Sequence, residues 1–300
     1  MKNEQLQRIS LNVIQTIQTQ ALPDEIKSAL TDPELLKNQE SLFLCFAQAF
    51  MDAFPGIPEN EQVLINTITY LGARGIYEAD PVYDIQIQGP EIQKHLVHSH
   101  FYHCESQRLL SHLFPIDHPL WAVYYQRYWQ HFGELRESRM TDKRLDFKTY
   151  LQLLRYKYAM LYVPIDIMHY RTGQQYRESY ERICEALQWF TVGYNIPNEI
   201  RGLKIDLETH INNYAWWRLM EKLPELDIDY RDYSSEELHK LVYVTGLAER
   251  MLEESLEAFE KALACIRPLN LPLFEYIIHK RIENNKMEME ILQEHLSSIF

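Results

Sequence analysis

Glycine is scarce in this chain, with nine residues in 300. Phosphate-cradling loops and dinucleotide turns need several closely spaced glycines, and neither pattern occurs; the nucleophile elbow of hydrolases is also missing. Cysteine is rarer still. Cys45, Cys104, Cys184 and Cys265 are scattered and show no ligand or redox spacing, so free thiols in a reducing cytoplasm are expected. No apolar run approaches the ~20 residues that a membrane span requires, and the N-terminus lacks the apolar core of a secretory signal. Basic residues are in the minority, 30 Lys and Arg against 43 Asp and Glu, for a formal net charge of −13. A nucleic-acid partner needs a basic face, which this balance argues against. The expectation is a cytoplasmic protein without stable membrane insertion, either monomer or homodimer.

What the chain does have is helical periodicity. Hydrophobic residues make up 46% of it, enough to bury a sizeable core, and few apolar runs alternate with period two. The spacing predicts helices near 3–20, 33–53, 60–80, 90–113, 117–140, 146–171, 176–195, 198–222, 235–266 and 271–298. Breaks are expected at Pro55-Gly56-Ile57-Pro58, Gly89-Pro90, Pro115 to Pro119, Thr172-Gly173, Pro197, Pro224 and Arg267-Pro268, with a further one at Pro164. The connections are short, and no linker, repeat or low-complexity tract appears. A single all-α domain over 1–300 follows, with 1–25 set aside as a flanking helix. Segment 235–266 reads as amphipathic with one solvated face, and it is not basic enough for a membrane surface.

Two acidic groupings stand out. Asn198, Gly202 and Asp206 are spaced by four and four, so on a helix they stack along one stripe, with oxygen donors at its ends and a gap between. Magnesium takes hard oxygen donors and keeps several waters, and such a gap has room for one. Asp80 and Asp84 form a second i, i+4 pair at the end of a helix whose apolar stripe is Leu64-Ile65, Ile68, Leu71-Gly72 and Ile76. Glu78, two residues before Asp80, points roughly the opposite way. Two acidic clusters on different helices suit a metal-bridged diphosphate, because the metal reverses the local sign and clamps the leaving group.

These residues resemble the class I terpene synthases of the isoprenoid-synthase superfamily. Asp80-x-x-x-Asp84 resembles that family's Asp-Asp-x-x-Asp motif, with Pro81 where a second Asp is usual. Asn198-Glu199-x-x-Gly202-x-x-x-Asp206 resembles its Asn-Asp-x-x-Ser-x-x-x-Glu motif, with Gly for Ser and Asp for Glu. The resemblance extends over roughly residues 60–285. It implies a helical bundle of isoprenoid-synthase type around a central cavity. It also implies Mg²⁺, three ions in the family arrangement, held by Asp80, Asp84, Asn198, Gly202 and Asp206. The reaction implied is ionisation of a linear prenyl diphosphate, followed by cyclisation or rearrangement. A cation on the Tyr-rich helix before the second motif would sense the diphosphate, and Arg155 and Lys157 both stand there. Lys280 and Arg281 fall where the family carries an Arg-Tyr pair over the closed site; no such adjacent pair occurs here. Two alternatives stay open: a prenyl-chain-condensing enzyme of the same fold, and a non-catalytic helical binding protein derived from it.

Two other features weigh less. His95, His98, His100 and His103 look like a metal box, yet His98 and His100 point about 160° apart on a helix. The 20 Tyr, 12 Phe and 5 Trp include Trp121, Tyr124, Tyr125, Tyr128, Trp129, Tyr158, Tyr162, Trp189, Phe190, Tyr194, Trp216 and Trp217 on the helices in question. Ring faces stabilise carbocations, while ordinary core packing accounts for most of these residues.

Overall fold

The computed structural model describes residues 2–32, 44–83, 87, 89–137 and 145–299, and among these no β-strand forms. The α-helices are α1 (Lys2–Thr19), α2 (Asp24–Leu30), α3 (Glu59–Tyr83), α4 (Pro90–Leu113), α5 (Leu120–Glu137), α6 (Phe147–Lys157) and α7 (Val163–Arg171). They continue with α8 (Arg177–Thr209), α9 (Tyr214–Lys222), α10 (Ser235–Val244), α11 (Leu247–Ile266) and α12 (Pro272–Ile299). The chain is all-α, as the periodicity predicts. None of the described helices is long and apolar enough to cross a membrane.

Four expected boundaries move. Of the helix expected at 33–53, residues 33–43 lie outside the described ones, and Ala47–Ala53 is a 3-10 turn. The break expected at Pro164 comes earlier, at Tyr158. Pro164 instead stands in the first turn of α7, where its missing N–H costs no helical bond. Segment 235–266 divides at Gly246, which adopts φ +69, a left-handed conformation that glycine takes without steric cost.

The fourth case is Pro197, inside α8 rather than between two helices. A proline has no N–H for the carbonyl four residues back, here that of Gly193. Ser255 on α11 fills the gap, donating its hydroxyl to Gly193 O at 2.6 Å. Asn285 Nδ2 on α12 donates to the same serine oxygen at 2.6 Å. A Cβ on Gly193 would stand 2.9 Å from the Phe259 ring, so the missing side chain lets α11 come this close. The helix therefore survives its proline and ends at Thr209, followed by His210 with φ +57.

Two compact units make up the chain. The first comprises Met1–Tyr128, Met160–Ile183 and Leu269–Ile277. Within it α3 packs along α4, with Ser99 Oγ donating to Gly75 O at 2.7 Å and Ser106 Oγ to Ile68 O at 3.0 Å. The Tyr70 hydroxyl donates to Leu30 O at 2.7 Å, fixing α2. Asp166, 2% exposed, accepts from Arg127 Nε at 2.9 Å and from the Tyr180 hydroxyl at 2.8 Å, so this buried carboxylate is paired and hydrogen-bonded.

The second unit comprises Trp129–Ala159, Cys184–Pro268 and Ile278–Phe300. Its core gathers Leu154 of α6, Val192, Ile196, Ile200 and Leu203 of α8, Leu219 of α9, and Met251 and Leu252 of α11. Tyr150 and Tyr214 stack in it with ring centroids 4.2 Å apart. The α8 positions recur every three or four residues, the spacing of one buried helix face.

Candidate functional site

The second acidic motif lies on the C-terminal half of α8, within the second unit. Asn198 is exposed, and Gly202 and Asp206 are half-buried. Asn198 Oδ1 accepts from Arg201 Nη2 at 2.7 Å, and Arg201 Nη1 also donates to Glu288 of α12 at 2.9 Å. Asp206 Oδ2 accepts from Asn213 Nδ2 at 2.7 Å. A Cβ on Gly202 would stand 3.3 Å from that same Asp206 oxygen. The Asp206 carboxylate thus borders the space left by the glycine.

Glu199 faces inward between these residues. Asn195 Nδ2 donates to its Oε1, and the backbone N–H of Tyr214 to its Oε2 at 2.7 Å. Burial pushes its carboxyl up to about 7. The nearby Lys157 charge is the largest influence opposing that rise, followed by the Tyr214 bond. Asn195 continues the network, accepting from the Tyr158 hydroxyl at 2.7 Å and donating to the Tyr150 hydroxyl at 3.2 Å.

The four expected diphosphate cations do not share one position. Lys157 is the last residue of α6, where its charge acts on Glu199 and its carbonyl accepts from His131 Nδ1 at 3.1 Å. Arg155, two residues earlier, is directed elsewhere and donates to Gln188 at 2.7 Å. The Arg281 guanidinium lies over the Tyr194 ring at 4.9 Å, and the Tyr194 carbonyl accepts from Asn198 Nδ2 at 3.4 Å. An Arg-on-Tyr pairing absent from adjacent sequence positions is thus made across helices. Lys280 is exposed. Of the four, Lys157 acts electrostatically on Glu199, and Arg281 lies over Tyr194, one turn before Asn198.

The first motif belongs to the first unit. Helix α3 continues through Pro81 to Tyr83, and Asp80 is half-buried on it. Burial, and then the Asp80 charge, raises the Tyr83 phenol above its ordinary value. Glu78 pairs with Arg74 and lies 2.9 Å from His95 Nδ1. Asp84 lies outside the described residues.

Magnesium needs oxygen donors open to it in an octahedral set. The carboxylate and amide of the second motif are the right donor type. As folded, however, they do not fit the ion: the Asn198 oxygen carries a guanidinium, Asp206 Oδ2 carries Asn213, and that same oxygen crowds the open side of Gly202. Among the described residues no group of three or more His, Cys, Asp or Glu is disposed around a common ion position. Of the five histidines of α4, the four that resemble a metal box go to separate partners. His95 meets Glu78, His98 the Tyr102 ring, His100 the Cys104 thiol and His103 the Tyr128 ring.

The aromatic residues divide in the same way. Tyr150, Phe190 and Tyr214 are core residues, whereas Tyr125 and Trp129 are 54% and 64% exposed and cannot wall an enclosed cavity. One cavity of about 250 Å³ in the second unit has Trp189, Phe147 and Tyr214 on its walls, with Arg218, Lys261, Glu254 and Glu257 as its charged lining.

Glu199, Arg201 and Asn213 have central places that the sequence reading did not assign. The helix expected at 198–222 runs through Asn213, which in the structure instead caps α9 by accepting from Trp216 N.

No protein-family model matches the chain, and no curated protein matches it by sequence. Solved structures do match it in fold. Octaprenyl pyrophosphate synthase from Helicobacter pylori is 13% identical, with a TM-score of 0.61 over 87% of this chain and 99% of that one. A decaprenyl diphosphate synthase from Rhodobacter capsulatus is 10% identical, with a TM-score of 0.63 over 94% and 96%. Geranylgeranyl pyrophosphate synthetase from the archaeon Geoglobus acetivorans is 12% identical, with a TM-score of 0.65 over 94% and 97%. At these identities the likeness is one of fold, and the fold is the all-α isoprenoid-synthase fold.

Proposed function

We propose that this chain acts on prenyl diphosphates by joining prenyl chains rather than by cyclising one. The observation that carries this reading is the fold likeness to several prenyl diphosphate synthases over nearly the whole of both chains. Terpene cyclisation, which the motifs alone suggest, is the less supported of the two.

In this reading an allylic carbon–oxygen bond breaks, the diphosphate leaves, and the cation adds to the double bond of a second prenyl diphosphate with loss of a proton. Lys157 holds the departing diphosphate, and Arg281 supplies a second positive charge. Cations placed where negative charge develops lower the barrier, because they need no reorganisation at the moment of reaction. Arg155 and Lys280 have no part in this arrangement as folded. In the first unit, Asp80 and Asp84 remain proposed magnesium ligands, and the ion they would hold would supply charge neutralisation for a diphosphate.

A second reading is favoured by one observation. Asn198 and Asp206 are both engaged by the chain's own donors. A protein of this fold that binds prenyl diphosphate without turning it over would have no use for them as metal ligands.

Incubation with isopentenyl diphosphate, an allylic diphosphate and Mg²⁺, followed by product chromatography, tests both. A longer prenyl diphosphate supports the first reading. Ligand-dependent thermal stabilisation without product supports the second. A cyclic hydrocarbon would return the chain to the cyclases.

A further inference from the structure

We propose that Glu199, Asp206 and Asn213 form a clasp that positions the start of helix α9, and that the second acidic motif serves this clasp and not a metal ion. Asn213 is fully buried, and every polar atom of its side chain is used. Its Oδ1 accepts from Trp216 N at 3.0 Å, which caps α9. Its Nδ2 donates to Asp206 Oδ2 at 2.7 Å and to the Glu199 carbonyl at 2.9 Å. The Glu199 carboxylate takes the first N–H of the new helix, that of Tyr214. Two residues of α8, seven positions apart, therefore receive the donors at the head of α9. The turn between the helices is closed by Ile211 N donating to Asp206 O at 2.8 Å.

This geometry explains why Gly, Asp and Asn stand where they do. Gly202 leaves room for the Asp206 carboxylate to lie back along α8, in reach of Asn213. An ion on Asp206 would draw the carboxylate off a buried amide that has no solvent to turn to. The clasp also fixes Tyr214, which stacks on Tyr150 in the core.

The proposal goes beyond the chain-joining reading, and its test does not need turnover. Mn²⁺ titration followed by electron paramagnetic resonance, together with thermal melting, is applied to the full chain and to Asp206→Asn, Asp206→Ala and Asn213→Ala. Asp206→Asn keeps an acceptor oxygen for Asn213, so it melts close to the parent. Asp206→Ala and Asn213→Ala both melt lower, and the two together melt no lower than the worse of them. Mn²⁺ affinity is the same within twofold in the parent and in Asp206→Asn. A tenfold or greater loss of Mn²⁺ affinity in Asp206→Asn would overturn the proposal, because a metal ligand loses its charge there while the clasp stays intact. Unchanged melting in both alanine variants would overturn it equally. If the alanine variants do not fold, the Asp206→Asn comparison still decides.

Discussion

Ser255 donates its hydroxyl to the carbonyl of Gly193, the acceptor that Pro197 leaves without a helical partner. One side chain from a neighbouring helix thus makes a 33-residue helix possible across a proline. The second acidic motif owes its position to this, because Asn198 to Asp206 follow Pro197 on the same continuous helix.

The first prediction concerns that bond. Ser255→Ala leaves a buried carbonyl and the Asn285 amide without their partner, and should lower stability by about 1–3 kcal/mol. In a Pro197→Ala background the helix regains its own N–H for Gly193, so the same substitution should cost measurably less. A denaturant double-mutant cycle reads the difference. Equal costs in both backgrounds would mean that Ser255 is not compensating for the proline.

Glu199 gives stability a pH dependence of defined sign. Its carboxyl is pushed up to about 7 in the folded chain, from an ordinary value of 4.5. The folded state therefore binds this proton more tightly than the unfolded state does. The contribution is fully present below about pH 4.5 and is lost as pH rises to about 7. Burial holds His131 below its ordinary value, so its contribution runs the other way and is lost as pH falls below about 6.5. Comparing the parent with Glu199→Gln isolates the first effect. Relative to the variant, the parent should lose roughly 1–3 kcal/mol between pH 4.5 and pH 7.5. A constant difference across that range would contradict the assignment.

The two candidate phosphate cations separate cleanly. Lys157→Met should weaken binding of a prenyl diphosphate about tenfold, or about 1.4 kcal/mol. Arg155→Ala, which removes only an exposed bond to Gln188, should change it by less than about twofold. Calorimetric titration of both variants measures this, and the reverse ranking would place the diphosphate on the Arg155 side of α6.

Asp80→Ala tests the first motif. Turnover should fall by a factor of about 100 or more, in the range set by removing charge stabilisation at a leaving group. Asp80 is half-buried near the end of α3, so melting should shift little. Parent-like turnover would remove Asp80 from the proposed site.

The fold class was legible from periodicity because most helices bury one face, and that face repeats every three or four residues, as Val192, Ile196, Ile200 and Leu203 do. Helix ends were less legible where a distant residue intervenes. Pro197 reads as a break in sequence, and nothing near it announces Ser255 some sixty positions later. The candidate site was legible as a stripe on α8, and Lys157 and Arg281 were named from sequence. The partners of that stripe were not. Whether Asp206 faces a cation or a buried amide depends on how the chain turns after His210, and that turn is set by Asn213 and by a left-handed residue that i, i+4 spacing does not describe.

Chain joining itself is tested most directly by supplying radiolabelled isopentenyl diphosphate with farnesyl diphosphate and Mg²⁺, then separating the products by thin-layer chromatography after phosphatase treatment. The account predicts label in prenyl alcohols longer than farnesol, reduced about 100-fold or more in Asp80→Ala. Label remaining entirely in isopentenol, together with no thermal stabilisation by either diphosphate, would contradict it.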